Sequence, residues 1–186
     1  MGLMDSKVVI FDLDGTVWDS WPWYARLLGV EPEGLASQLR AGKNIASMLR
    51  KEGHEADFQR LAETHAKDLA LYGPVEEVLK QMTATGVRTA VVTNLPGWMA
   101  EPMLAAKSLS EYFELVLPWS SGSKAPRIRR SAQKLGSRPW YVGDMATDRF
   151  AAHRAEARFA WASWGYGEED PEADRVLSDF DEVVTL

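Results

Sequence analysis

Val8-Val9-Ile10-Phe11 is an unbroken apolar run that stops abruptly at Asp12. A short run of this kind, without polar alternation, is how a strand buried on both faces of a parallel sheet reads. Arg88 to Thr93, entered through Gly86, repeats the pattern, as do Glu114 to Leu117 and Pro139 to Val142, the last closed by Gly143-Asp144. Phe159 to Ala162 predicts a fifth strand, and Arg175 to Leu177 a short sixth at an edge. Between them the apolar spacing changes to that of helices. Pro74 opens one with Val75, Val78, Leu79 and Met82 on a single face, and Gly86 follows its end. Pro96 to Lys107, Ile128 to Leu135 and Thr147 to Glu156 supply further crossovers. Strands alternating with helices at these spacings predict an α/β fold, a three-layer Rossmann-like parallel sheet with right-handed crossovers.

Residues 20–72 break the rhythm. They show helical stretches at Asn44 to Lys51 and Ala56 to Leu71, no good strand, and punctuation at Gly29, Pro32, Gly42 and Gly53. The expected organisation is a core of residues 1–19 and 73–186, with a small α-helical subdomain of residues 20–72 inserted after the first strand. No internal repeat or low-complexity tract interrupts it.

Composition narrows the chemistry. The chain has 186 residues and no cysteine, which excludes disulfides, thiolate metal sites and cysteine nucleophiles. A formal charge of -6 argues against general nucleic-acid binding, which needs a positive field. No apolar run approaches the roughly 18 residues that span a bilayer, so no membrane partner is expected and the cytoplasm is the expected location. Met1-Gly2-Leu3-Met4-Asp5-Ser6 fits a loose N-myristoylation pattern, but the strand that starts almost at once leaves little tether, and the match is read as coincidence.

In open α/β sheets, ligands bind beyond the carboxyl ends of the strands. Here those ends carry Asp12-Leu13-Asp14-Gly15-Thr16, then Thr93-Asn94, then Lys124 within Ser121-Gly122-Ser123-Lys124-Ala125-Pro126, then Gly143-Asp144-Met145-Ala146-Thr147-Asp148. Four acids, a lysine and a hydroxyl converge on one edge. In order and placement, these segments resemble the four motifs of the haloacid dehalogenase superfamily, over nearly the whole chain. The insert is similar to a short helical cap of the phosphoglycolate phosphatase-like branch. Ala125 and Met145 depart from that branch, which often has proline and a small hydroxyl residue there.

The resemblance implies a Mg²⁺-dependent phosphatase acting on a small phosphorylated metabolite through an aspartyl-phosphate. Asp12 would be the nucleophile. Asp14, two residues on and on the same side of an extended segment, would protonate the leaving alcohol once burial lifts its pKa. Thr93 and Asn94 would hydrogen-bond the phosphoryl oxygens, and Lys124 would balance charge. With Asp14 protonated, Asp12, Asp144, Asp148 and Lys124 sum to about -2, so a phosphate dianion calls for a divalent cation. All-oxygen ligands favour Mg²⁺. By resemblance its ligands would be the carboxylates of Asp12 and Asp144 and the backbone carbonyl of Asp14, with Asp148 orienting a bound water or Lys124.

In the insert, Arg40, Lys43 and Asn44 surround Gly42 and either reach into the site to read the substrate or form a solvated turn. Trp18, Trp21, Trp23 and Tyr24 either pack the hinge or line an apolar pocket. Arg127, Arg129 and Arg130 read as a solvated helix face. His54, His65 and His153 fall outside the motifs. Two other functions share these motifs or their geometry: a phosphomutase of the β-phosphoglucomutase type, and a receiver-like phosphoacceptor module. A phosphonatase would need a cap lysine such as Lys43 or Lys51. The expected quaternary state is a monomer or weak homodimer.

Overall fold

A computed structural model describes residues 7–120, 122–136, 138–170 and 172–186; the N-terminal Met1–Ser6 match and Ser121 lie outside them. The chain opens with β1 (Val8–Phe11) and a short β2 (Trp18–Asp19). It then forms the cap helices α1 (Trp21–Leu28), α2 (Pro32–Arg40), α3 (Ile45–Lys51) and α4 (Phe58–Thr64). Strand β3 (Ala70–Leu71) returns to pair antiparallel with β2, so the two chain crossings into the cap are held side by side. The core continues through α5 (Val75–Ala84), β4 (Arg88–Pro96), α6 (Gly97–Ala106), β5 (Leu115–Trp119) and α7 (Lys124–Leu135). It ends with β6 (Trp140–Gly143), α8 (Ala146–Arg154), β7 (Arg158–Ala162) and β8 (Arg175–Leu177).

Six strands form one parallel sheet in the order β5-β4-β1-β6-β7-β8. Because side chains alternate along a strand, β1 feeds two cores at once. Val9 and Phe11 join the core that contains α5, α6 and the cap, whereas Val8 and Ile10 join the one beneath α7 and α8. All four residues are buried, which explains the unbroken apolar run. The chain winds outward from β1 to β4 and β5, then crosses back through α7 to β6 on the other side of β1. That reversal opens a crevice at the carboxyl ends of β4, β1 and β6.

Three local expectations are corrected. The stretch Ala56 to Leu71 is not one helix: α4 ends at Thr64, a short 3₁₀ turn follows, and Ala70–Leu71 become extended to meet β2. The return to the hinge therefore overrides helical periodicity. α7 begins at Lys124 rather than Ile128, because Pro126 falls in its first turn, where a missing N–H costs no helical bond. Along α7, Lys124, Arg127, Ile128, Ser131 and Leu135 are buried at helical spacing, so Arg127 belongs to the inner face and not to the solvated one.

The β7–β8 connection is pinned to α8 by a buried ion pair, Arg149 Nε to Asp170 Oδ2 at 2.9 Å. Asp170→Ala would remove the buried one of two carboxylates on that guanidinium, leaving only the exposed Glu172, whose Oε2 is 2.7 Å from Arg149 Nη1. It is expected to cost roughly 2 kcal/mol, a fall of about 4–8 °C in Tm for a chain of this size. Guanidinium denaturation and a thermal melt measure both; a change under about 1 kcal/mol would show the pair to be inconsequential.

Candidate active site

Three acids meet at the crevice. Asp12 follows β1, and Asp144 and Asp148 lie after β6 and in the first turn of α8. Each offers a carboxylate oxygen, and these atoms all lie within 4.8 Å of one another. The three side chains are buried, as is Lys124. The Lys124 ammonium sits between two of them, 2.7 Å from Asp12 Oδ2 and 2.6 Å from Asp148 Oδ1. Burial alone would lower the Lys124 pKa, but the charges of Asp12 and Asp148 outweigh it and hold the ammonium well above its usual range. Burial pushes Asp12 up to about 6 despite the neighbouring lysine, and the charge of Asp148 adds to that rise. Asp144 is raised well above the ordinary carboxylate range, first by burial and then by the charges of Asp148 and Asp12.

Hydrogen-bond accounting separates the roles of these carboxylates. Asp148 has both oxygens engaged, Oδ1 with Lys124 and Oδ2 with the backbone N–H of Met145 at 3.1 Å. Asp12 Oδ1 and Asp144 Oδ1 are buried and accept from no group among the described residues. Two unpartnered anionic oxygens in a buried cluster carry a desolvation cost that a hard divalent cation removes. The donor set is therefore suited to Mg²⁺, with Asp12 and Asp144 the carboxylates free to bind it and Asp148 left to orient Lys124.

Asp14 is held quite differently. Its Oδ1 accepts from Trp18 Nε1 at 2.8 Å, Ser20 Oγ at 2.7 Å and Tyr24 Oη at 3.2 Å, while Oδ2 receives only a longer contact from Tyr24. Burial raises its pKa, outweighing those three donors, which favour the ionised form. The aromatic cluster at the cap entrance thus divides. Trp18, Trp23 and Tyr24 are buried, two of them on Asp14, whereas Trp21 lines the cavity. The three donors lie four, six and ten residues beyond Asp14, a spacing that marks no regular element and so gave no signal in sequence.

The rim comes from β4 and the cap. Thr93 is buried; its Oγ1 accepts from the N–H of Leu95, leaving the hydroxyl hydrogen available. Asn94 Oδ1 accepts from Arg127 Nη2 at 2.9 Å, so its amide group is the end left over. Arg127 also donates to the Thr93 and Leu117 carbonyls, and it ties the ends of β4 and β5 to α7. Lys43 and Asn44 line the cavity, Lys43 with its ammonium 2.9 Å from Gln38 Oε1 and Asn44 capping α3 through the N–H of Ser47. Arg40 does not line it; its guanidinium stacks at 5.2 Å over Trp21.

Sequence reasoning also missed the segment after β7. The N–H of Tyr166 donates to Asp144 Oδ2 at 2.8 Å, and Trp161 Nε1 donates to the Asp144 carbonyl at 3.0 Å. Gly165 and Gly167 pack so tightly that a methyl group on either would overlap Asp144. Gly15, at φ +75°, meets the same carboxylate. Paired glycines around an aromatic residue just beyond a strand end were the available clue.

The four acids, Lys124, Thr93 and Asn94, with Trp21, Lys43, Asn44 and Tyr166, line a cavity of about 370 Å³. A larger open groove of about 800 Å³, lined by Arg129, Arg138, His153 and Glu156, lies at the opposite end of the sheet, away from the acid cluster. Chemistry, not size, picks out the former.

The haloacid dehalogenase-like hydrolase family matches residues 9–162. The phosphoglycolate phosphatase of Chromobacterium violaceum is 30% identical, over all of this chain and 98% of that one. That alignment runs over 221 positions, so the relative carries segments that these 186 residues lack. The phosphoglycolate phosphatase of Aquifex aeolicus is 28% identical over 86% of each chain. In structure, the chain resembles a haloacid dehalogenase-like family hydrolase from Streptococcus pneumoniae, with TM-score 0.72, 17% identity and coverage of 98% and 99%. It likewise resembles CbbY from Rhodobacter sphaeroides in complex with phosphate, with TM-score 0.70, 20% identity and 96% of each chain covered. At such identities the structural likenesses speak for the fold alone.

Proposed function

We propose that this chain, which belongs to the haloacid dehalogenase-like hydrolase family, hydrolyses the phosphate monoester of a small metabolite through an aspartyl-phosphate on Asp12. The observation that carries the reading is the buried Asp12–Lys124–Asp148 array beside Asp144, with one oxygen of Asp12 and one of Asp144 left without a partner. Other buried polar atoms also lack partners, but these two are the carboxylate oxygens among them, and they belong to one cluster.

A carboxylate oxygen of Asp12 attacks phosphorus as the ester P–O bond breaks, and Asp14 gives its proton to the departing alcohol oxygen. Water then attacks the phosphorus of the aspartyl-phosphate, its proton passing to Asp14, and inorganic phosphate leaves with Asp12 restored. Three donors fix the Asp14 carboxyl, while burial keeps a proton on it nearer to neutral pH. Lys124 holds Asp12 in place and offsets the charge gathering at phosphorus. The Thr93 hydroxyl and the Asn94 amide, the latter braced by Arg127, serve as donors to the phosphoryl oxygens. Mg²⁺ bound by Asp12, Asp144 and the Asp14 carbonyl would supply Lewis-acid stabilisation of the phosphoryl charge.

The names of the relatives and a cavity of about 370 Å³ favour a small anionic substrate such as 2-phosphoglycolate. Lys43 and Asn44 at the rim would meet its carboxylate; Arg40, turned onto Trp21, is the least suited of the three cap residues to do so. Phosphate release from 2-phosphoglycolate and a panel of monoesters, with and without Mg²⁺, tests the reading. No Mg²⁺-dependent release from any of them would end it. Asp14→Asn is expected to slow alkyl phosphates by about 10²–10⁴-fold and an activated aryl phosphate far less, since only a poor leaving group needs the proton. Equal losses on both would remove Asp14 from the acid role.

A further inference from the structure

Asp144 is gripped through a segment that also grips the cap's hinge. The Tyr166 N–H donates to Asp144 Oδ2 at 2.8 Å. From the same residue, the phenol O–H donates to Asp19 Oδ1 at 2.7 Å and its oxygen accepts from the Trp21 N–H at 3.0 Å. Asp19 ends β2 and Trp21 begins α1, so these bonds fall where the chain passes from core to cap. The Tyr166 ring also stacks on Trp21, with centroids 3.9 Å apart and planes at 18°.

The other end of the segment has no slack. Gly165 and Gly167 lie against Asp144 with no room for a side chain. A shift of the backbone at 165–167 must therefore move the carboxylate or lose the hydrogen bond. With Oδ2 taken by the Tyr166 N–H, Oδ1 is left as the unpartnered oxygen of a carboxylate that belongs to the acid cluster.

We propose that Tyr166 is a positioning residue: by clamping Asp19 and Trp21 with its side chain and Asp144 with its backbone, it couples the seating of the cap to metal affinity. The inference rests on the metal site read above. Groups that orient a ligating carboxylate without touching the metal typically contribute 10–100-fold in affinity. Coupling between sites is reciprocal, so whatever seats the cap tightens the metal, and the metal in turn favours the seated cap.

The test is calorimetric titration of Mg²⁺ into the full-length wild type, Tyr166→Phe and Asp19→Ala, each with and without inorganic phosphate, with no turnover required. Tyr166→Phe keeps the ring and the backbone N–H but removes both hydroxyl bonds. It is expected to fold and to bind Mg²⁺ about tenfold more weakly, and Asp19→Ala should weaken binding in the same direction. Phosphate should tighten Mg²⁺ binding in the wild type, and by clearly less in either variant. A purely structural role would lower Tm and leave the Mg²⁺ affinity of the folded protein unchanged. Affinities within twofold of wild type in both variants would overturn the coupling and leave the phosphatase reading standing. No Mg²⁺ binding by the wild type would overturn the metal site and this proposal together.

Discussion

Asp12→Asn is expected to abolish phosphate release, by about 10⁴-fold or more, while making the metal-free protein more stable. The loss follows from removing the attacking oxygen, since residues that share a covalent step cannot substitute for one another. The gain follows from burial. Asp12 has its pKa pushed up from 3.8 to about 6, first by desolvation, then by the charge of Asp148, with Lys124 opposing both. Its folded pKa is raised, so between those values the native state binds more protons than the unfolded chain and loses stability as pH rises. Above that window the ionised carboxylate costs on the order of 2–3 kcal/mol, which the amide does not incur. The advantage of Asp12→Asn should therefore be near zero at about pH 4 and complete by about pH 7. Urea melts across that range, in chelator, measure it. A variant that still turns over at wild-type rate removes Asp12 as nucleophile; one that is no more stable at pH 7 than at pH 4 removes the burial account.

Lys124→Met is expected to act in the opposite sense on stability. Among the described residues its ammonium is the single cation within hydrogen-bond reach of Asp12 and Asp148, and all three groups are buried. Breaking a buried ion pair from one side leaves an uncompensated charge, typically at 3–5 kcal/mol; here two carboxylates lose their partner, with Asp144 alongside. Metal-free Lys124→Met should therefore melt lower by roughly 10 °C, and turnover should fall with it. Adding Asp148→Asn should recover a large part of that stability, because with the lysine gone nothing offsets the repulsion it removes. The non-additivity of this double-mutant cycle is the measurement. Additive effects, or a single-variant loss under about 1 kcal/mol, would show that Lys124 does not neutralise the cluster.

Much of this was legible along the chain. The strand ends at Asp12 and Gly143-Asp144 could be read because a parallel strand buried on both faces announces itself as an apolar run that stops, whereas β4 runs past Thr93-Asn94 to Pro96 through a shift in register. Lys124 could be placed only through its order among the motifs, since Pro126 obscured the start of its helix. Arg127 was misplaced because three arginines in four positions look alike in sequence. Only the phase of α7, which sets Lys124 and Arg127 on one face, turns that one inward to Thr93 and Asn94. Asp14 was identified, yet its supports Trp18, Ser20 and Tyr24 were not, because hydrophobic spacing says nothing about which indole N–H or phenol finds a carboxylate.

The amino-acid order by itself determined the alternation of strands and helices, the position of the insert and the identity of the acids at the strand ends. These are local properties, set by periodicity and by where apolar runs meet polar residues. Tertiary structure alone decided which oxygens of those acids stay free, that Arg40 turns away onto Trp21, and that Tyr166 binds Asp144 with one end and the cap hinge with the other. Such contacts join groups as far apart as 147 positions. They depend on the direction each side chain takes after the sheet has closed, and no stretch of sequence carries that direction.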